Sequence, residues 1–121
     1  MLTDVQQHPA EEACGLVAGR DSESLKVYPV TNDLHSPVRF YMRPLEMLSV
    51  FTEIEANGWD VLAIYHSHLN GPPVPSATDI AEFRYPGTLS LIWSPQDGKW
   101  ACRAFLISGE GYREVTITIL G

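Results

Sequence analysis

Apolar residues along the chain fall into short runs of two kinds. Cys14 to Ala18, Leu25 to Val30, Val61 to His68, Leu89 to Trp93, Trp100 to Ile107 and Tyr112 to Leu120 are compact and rich in β-branched and aromatic residues. They read as strands. Arg20 to Ser24 is a hairpin-length connection after Gly19, and Asp97-Gly98 and Gly109-Glu110-Gly111 supply later turns. Leu45 to Ala56 has a different period. Its Met47, Val50, Phe51 and Ile54 recur at i, i+3, i+4 and i+7, which predicts a helix whose apolar stripe belongs to the core. Asn57-Gly58 ends it. Ala77 to Phe83 predicts a second, short helix stopped before Pro86, and Met1 to Gln7 the tail of another, broken by Pro9. Thr31 to Pro37 reads as loop and Phe40 to Met42 as a short extended stretch. The class implied is α/β: one domain over residues 1–121, with a central mixed sheet and a helix against each face.

Val61 to Tyr65 is apolar on both faces, the mark of a central strand covered on both sides. It runs into His66-Ser67-His68. Residues two apart on a strand share a face, so both imidazoles point one way and Ser67 the other. Gly71, Pro72, Pro73 and Pro75 then force a loop. Ser76 follows in an N-cap position, with Asp79 in the first turn of the next helix. The loop can fold the Asp79 carboxylate back over the histidines. Two imidazoles and a carboxylate make a three-ligand zinc site with the fourth position open to water, as in catalytic rather than structural zinc. Each residue has a plainer use. Two histidines at a strand end can be core residues, and S-x-x-D is a capping box that stabilises a helix start with no metal. The pair at i, i+2 with Ser and Asp correctly placed downstream favours the ligand reading.

The spacing H-x-H-x7-S-x2-D resembles the signature of the JAMM (MPN+) metallopeptidases. HPAEEACGLVAG (His8 to Gly19), VTN and SPVRFYM (within Val30 to Met42) and IYHSH through PSATD extend the resemblance over nearly the whole chain. Within the family they look like the small bacterial members of the CysO-cysteine peptidase kind. The resemblance implies a layering like that of cytidine deaminases. Members usually carry a strand and most of a helix ahead of the HPAEE stretch. That piece is short here, which would leave one sheet edge open. The resemblance also implies a general base at Glu12, three residues ahead of Gly15, and an oxyanion-stabilising role for Ser76. Strand alternation sends Glu11 and Glu12 to opposite sides, so only one can face the metal. The implied reaction is zinc-assisted hydrolysis behind the Gly-Gly terminus of a ubiquitin-like or sulfur-carrier protein, removing a cysteine or a conjugated lysine. An extended glycine-rich tail suits a narrow site that side chains would block.

Composition narrows the alternatives. The chain has 121 residues, 8 Lys and Arg against 15 Asp and Glu, and a formal charge of −7. Without a cationic cluster, a nucleic-acid binder is not expected. Cys14 and Cys102 read as buried free thiols, and no CxxC pair is present. No leader or membrane span is visible, so cytoplasmic is the default. A zinc deaminase would need H-x-E and P-C-x-x-C, and a helical metalloprotease HExxH; neither occurs. His8 and His35 read as surface residues, and Trp59, Trp93 and Trp100 as packing. Two rivals remain: a metal-free scaffold of the MPN type, and a peptidase acting on other peptides such as those of the cell wall. All five functional positions being intact speaks against the first, and the lack of a visible secretion signal or partner domain against the second.

Overall fold

In a computed structural model, which describes residues 1–109 and 111–118, the elements run α1 (Leu2–Gln7), β1 (Cys14–Arg20), β2 (Glu23–Val30), α2 (Pro44–Ala56), β3 (Asp60–Ser67), α3 (Ala77–Glu82), β4 (Leu89–Gln96), β5 (Lys99–Ser108) and β6 (Gly111–Val115). One sheet takes all six strands in the order β2-β1-β3-β4-β5-β6. Only β3 and β4 run parallel, so the sheet is mixed, as the pattern predicts. No residue ahead of Cys14 is in a strand, and β2 and β6 form the sheet edges. No helix among the described residues is long and apolar enough to cross a membrane.

Several strands outrun their apolar cores, because a ladder partner continues to receive their backbone bonds. β1 passes Gly19 to Arg20 with a register shift after Ala18. Asp21 and Ser22, both at positive φ (52° and 66°), then turn it tightly into β2. The last strand is shorter than expected. β6 ends at Val115, and residues 116–118 leave the ladder, while Leu120 lies outside the described residues. Burial explains the departure: Ile117 packs over the cluster of Val5, Val17, Tyr65 and Leu91 rather than extending the edge.

The two faces are covered unequally. Val5 of α1 packs on one face, against Ala63 and Tyr65. α2 lies on the other, where Ile54 joins Leu16, Tyr28 and Ile64, and Phe83 and Tyr85, which follow α3, pack beside it. The α2 stripe is only partly core. Ile54 is buried, but Met47, Val50 and Phe51 are half-buried. Met47 and Phe51 line a groove of about 550 Å³ between α2 and the sheet. Cys14 is a buried free thiol, whereas Cys102 is free and only half-buried. The first expectation of full burial thus holds for one cysteine.

Gly15 lies opposite Tyr65 at the centre of the sheet. A Cβ there would come within 2.4 Å of both the Tyr28 carbonyl oxygen and the Tyr65 ring. The carbonyl belongs to a paired strand and cannot yield cheaply. Gly15→Ala is expected to destabilise the fold by about 3 kcal/mol, read as a lower denaturant midpoint. An unchanged midpoint would mean that β1 and β2 separate more easily than this packing allows.

Candidate metal centre

The end of β3 carries His66, Ser67 and His68, held from both sides. The β1 register sets Cys14 against His66, and beyond it the Ser67 N–H donates to the Ala13 carbonyl at 3.0 Å. The Ala13 N–H donates back to the Ser67 hydroxyl at 2.8 Å. On the other flank the His68 N–H donates to the Trp93 carbonyl of β4 at 2.7 Å. Tyr65 donates its hydroxyl to buried Asp4 at 2.7 Å, which ties α1 beneath the same strand. The strand end is therefore rigid where its imidazoles emerge.

Asp79 arrives as the alternation of loop and helix predicts. Ser76 caps α3, its hydroxyl accepting from the Asp79 N–H at 3.0 Å, while Asp79 Oδ2 accepts from the Ser76 N–H at 2.9 Å. The same Oδ2 lies 3.3 Å from His66 Nε2 and 3.0 Å from His68 Nε2, and the two Nε2 atoms are 3.1 Å apart. Capping and convergence on the histidines thus coexist. His68 donates through Nδ1 to the Pro72 carbonyl at 3.1 Å, which leaves its Nε2 lone pair pointing inward.

This donor set fits a metal ion. His66, His68 and Asp79 form a group that could hold one. Ligands about 2.0–2.1 Å from a tetrahedral zinc would sit about 3.3 Å from each other. The three separations, 3.0, 3.1 and 3.3 Å, are close to that. Electrostatics agree. Burial pulls His66 down toward its neutral form. Burial also opposes protonation of His68, but its bonds to Asp79 and Pro72 outweigh this and raise it. Burial pushes Asp79 up, and the two imidazoles more than offset that, so its carboxyl is held well below the usual range. Among these groups the site therefore holds a carboxylate whose charge only cations or donors can balance.

Glu12 and Glu11 part company, although both lie ahead of β1 rather than in it. Glu11 turns outward to His35, 2.9 Å away. Glu12 is buried, and its Oε1 has no hydrogen-bond partner among the described residues. It shares a small cavity of about 150 Å³ with His68, Pro72, Pro75 and Ser76. Burial pushes its carboxyl up to about 8, with His68 lowering and Asp79 raising it. An unpaired, buried carboxyl of this kind, beside convergent ligands, is the usual setting for proton transfer.

His35 is exposed, but His8 is half-buried and within 2.9 Å of the Asp4 carbonyl, so it is part of the α1 anchor rather than a free surface residue. Trp59, Trp93 and Trp100 pack as expected. Sequence reasoning missed Phe40, whose ring stacks on His66 at 4.6 Å between centroids. It also missed Asn32, buried in the loop that carries Phe40. The only signal for either was its place in VTN and SPVRFYM.

A family model described as prokaryotic homologs of the JAB domain matches residues 1–108. The chain belongs to that family. This JAB-domain chain is 37% identical over 115 residues to a desampylase of Haloferax volcanii, covering 92% of this chain and 80% of that protein. It is 40% identical over 125 residues to a probable TtuB-protein conjugate cleaving protease of Thermus thermophilus, covering 99% and 79%. The solution structure of a Desulfitobacterium hafniense protein, 36% identical, superposes with a TM-score of 0.85 over 98% of this chain and 84% of that one. The JAMM resemblance and the α/β fold read from the sequence are both borne out.

Proposed function

We propose that this JAB-domain chain is a zinc-dependent peptidase that hydrolyses the bond after the C-terminal Gly-Gly of a ubiquitin-like or sulfur-carrier protein, releasing a cysteine or a conjugated lysine. One observation carries the reading: three ligand atoms converge within 3.3 Å of each other beside a buried carboxyl oxygen that has no partner. The names of the relatives, a desampylase and a conjugate-cleaving protease, support the substrate class.

In this reading His66 Nε2, His68 Nε2 and Asp79 Oδ2 would hold the zinc. Zinc supplies Lewis-acid polarisation of the scissile carbonyl and a water acidic enough to react near neutral pH. Glu12 takes the proton from the attacking water and returns it to the leaving amine. Its raised value suits a group that must both accept and give up a proton near neutrality. The Ser76 hydroxyl already accepts from the Asp79 N–H. Its own hydrogen is free to donate to the oxyanion as the carbonyl becomes tetrahedral. The small cavity bordered by Pro72 and Pro75 suits glycine on the acyl side. The larger groove beneath α2 reaches His66 and Asp79 and can take the apolar part of an extended chain. Free thiols at Cys14 and Cys102 suit a reducing compartment, and we place the protein in the cytoplasm.

The test is intact-mass analysis of a sulfur carrier extended by one cysteine after Gly-Gly, alongside a carrier joined to lysine through an isopeptide bond. The zinc-loaded protein is expected to remove one or both additions. A zinc-loaded protein inert on both would exclude this substrate class, and a protein that binds no zinc would leave the scaffold reading.

A further inference from the structure

We propose that Asn32 is the positioning residue that holds Glu12 against the candidate metal ligands. The inference rests on the reading of Glu12 as the base and adds how it is aimed. Asn32 is 2% exposed. A side-chain amide offers two donors and one oxygen that accepts twice. All four are used. Nδ2 donates to the Glu12 carbonyl at 3.1 Å and to the Arg39 carbonyl at 3.0 Å. Oδ1 accepts from the Leu34 N–H at 3.1 Å and the Tyr41 N–H at 3.0 Å.

The two acceptor bonds are local and would serve to shape the loop alone. The donor bond to Glu12 is different, because it crosses 20 residues to the peptide of the base. The same loop also grips the other side of that residue: the Glu12 N–H donates to the Ser36 carbonyl at 2.8 Å. Glu12 is thus clamped through both backbone groups, which fixes the point from which its side chain reaches the cavity beside His68. Downstream, the strap that Asn32 holds at Arg39 and Tyr41 lays Phe40 on His66. It also carries Arg39 to Glu82 of α3, three residues after Asp79. Base and ligands are therefore referred to one amide. A buried amide with every valence used has no slack, and displacement of the base by about 1 Å is enough to cost about a hundredfold in rate.

Asn32→Asp tests the donor bonds, the one to the Arg39 carbonyl together with the one to the Glu12 carbonyl. It keeps the acceptors and loses both donors. In the metal-free full-length protein, amide hydrogen exchange at Glu12 is expected to rise about tenfold or more, with Leu34 and Tyr41 within about threefold of wild type. In the zinc-loaded protein, kcat on the carrier is expected to fall about 10- to 100-fold, with KM within about threefold and one zinc still bound per chain. Unchanged Glu12 exchange would overturn the proposal. So would a rate loss matched by zinc loss or by a smaller folded fraction. Should Asn32→Asp fail to fold, Asn32→Ala removes the donors without burying a charge; Leu34 and Tyr41 lose their acceptor as well, so Glu12 exchange and the split of kcat from zinc content are then the readouts. If wild-type protein cleaves no carrier, the functional reading fails, and the exchange measurement still decides whether Asn32 holds Glu12.

Discussion

Glu12→Gln is expected to abolish hydrolysis while making the metal-free protein more stable. The rate loss follows from removing the proposed base, and should be about 10²- to 10⁴-fold with zinc retained. The stability gain follows from burial. Glu12 is raised from 4.5 to about 8, so the folded protein binds this proton more tightly than the unfolded chain does. Stability therefore falls as pH rises from the unfolded value through about 8, because the buried carboxyl must either stay protonated against the solution or ionise without a partner. Gln has no such proton. Above pH 8 the variant is expected to gain on the order of 3–5 kcal/mol, about 10–20 °C in melting temperature, and near pH 4 the gain should vanish. Melting curves in chelator at pH 5, 7 and 9 check this. Equal melting temperatures across that range would mean that Glu12 reaches solvent or a partner. Zinc should shrink the gain, since a nearby cation favours the ionised carboxylate.

Asp79→Asn carries the second large effect. One of the three proposed ligand atoms becomes a poor donor, and zinc affinity is expected to fall at least about a hundredfold, measured by competition with a chromogenic chelator. Native zinc affinity in this variant would remove Asp79 from the ligand set. The metal-free protein should also respond, with the opposite pH trend to Glu12→Gln. Asp79 is held low, so its contribution is present above the unfolded carboxyl value and lost as pH falls through the folded one. His68 is raised, so its contribution is present below the unfolded imidazole value and lost as pH climbs past the folded one. The pair therefore stabilises most between those limits, around pH 5–6. There Asp79→Asn is expected to cost about 2 kcal/mol, and less at pH 8. A deficit that grows with pH would contradict a His68–Asp79 pair.

Together the two variants separate a stored cost from a paired charge. Glu12 weakens the metal-free fold because nothing answers its carboxyl, while Asp79 strengthens it because two imidazoles and a helix N-terminus do. A site that holds one carboxyl unsatisfied and another oversatisfied drives their proton affinities apart, as the proposed roles of base and ligand require.

Much of the site was legible along the chain because its relations are local. His66 and His68 share a face because alternate residues of any strand do. Ser76 and Asp79 meet because N-cap and N3 are one turn apart. These follow from covalent geometry and survive whatever the rest of the chain does. Tertiary structure decided what depends on competition between distant segments for the same space. The β1–β3 register put Glu12 beside His68 rather than one residue away. The loop from Thr31 to Met42 wrapped Glu12 and set Phe40 on His66, although its sequence has no period to announce it. The stripe of α2 was correct as a helix signal, but a groove took part of it from the core. Ile117 left the edge strand to pack on the cluster that Val5 of α1 joins, because covering it there removes apolar surface that α1, with only six residues, leaves open.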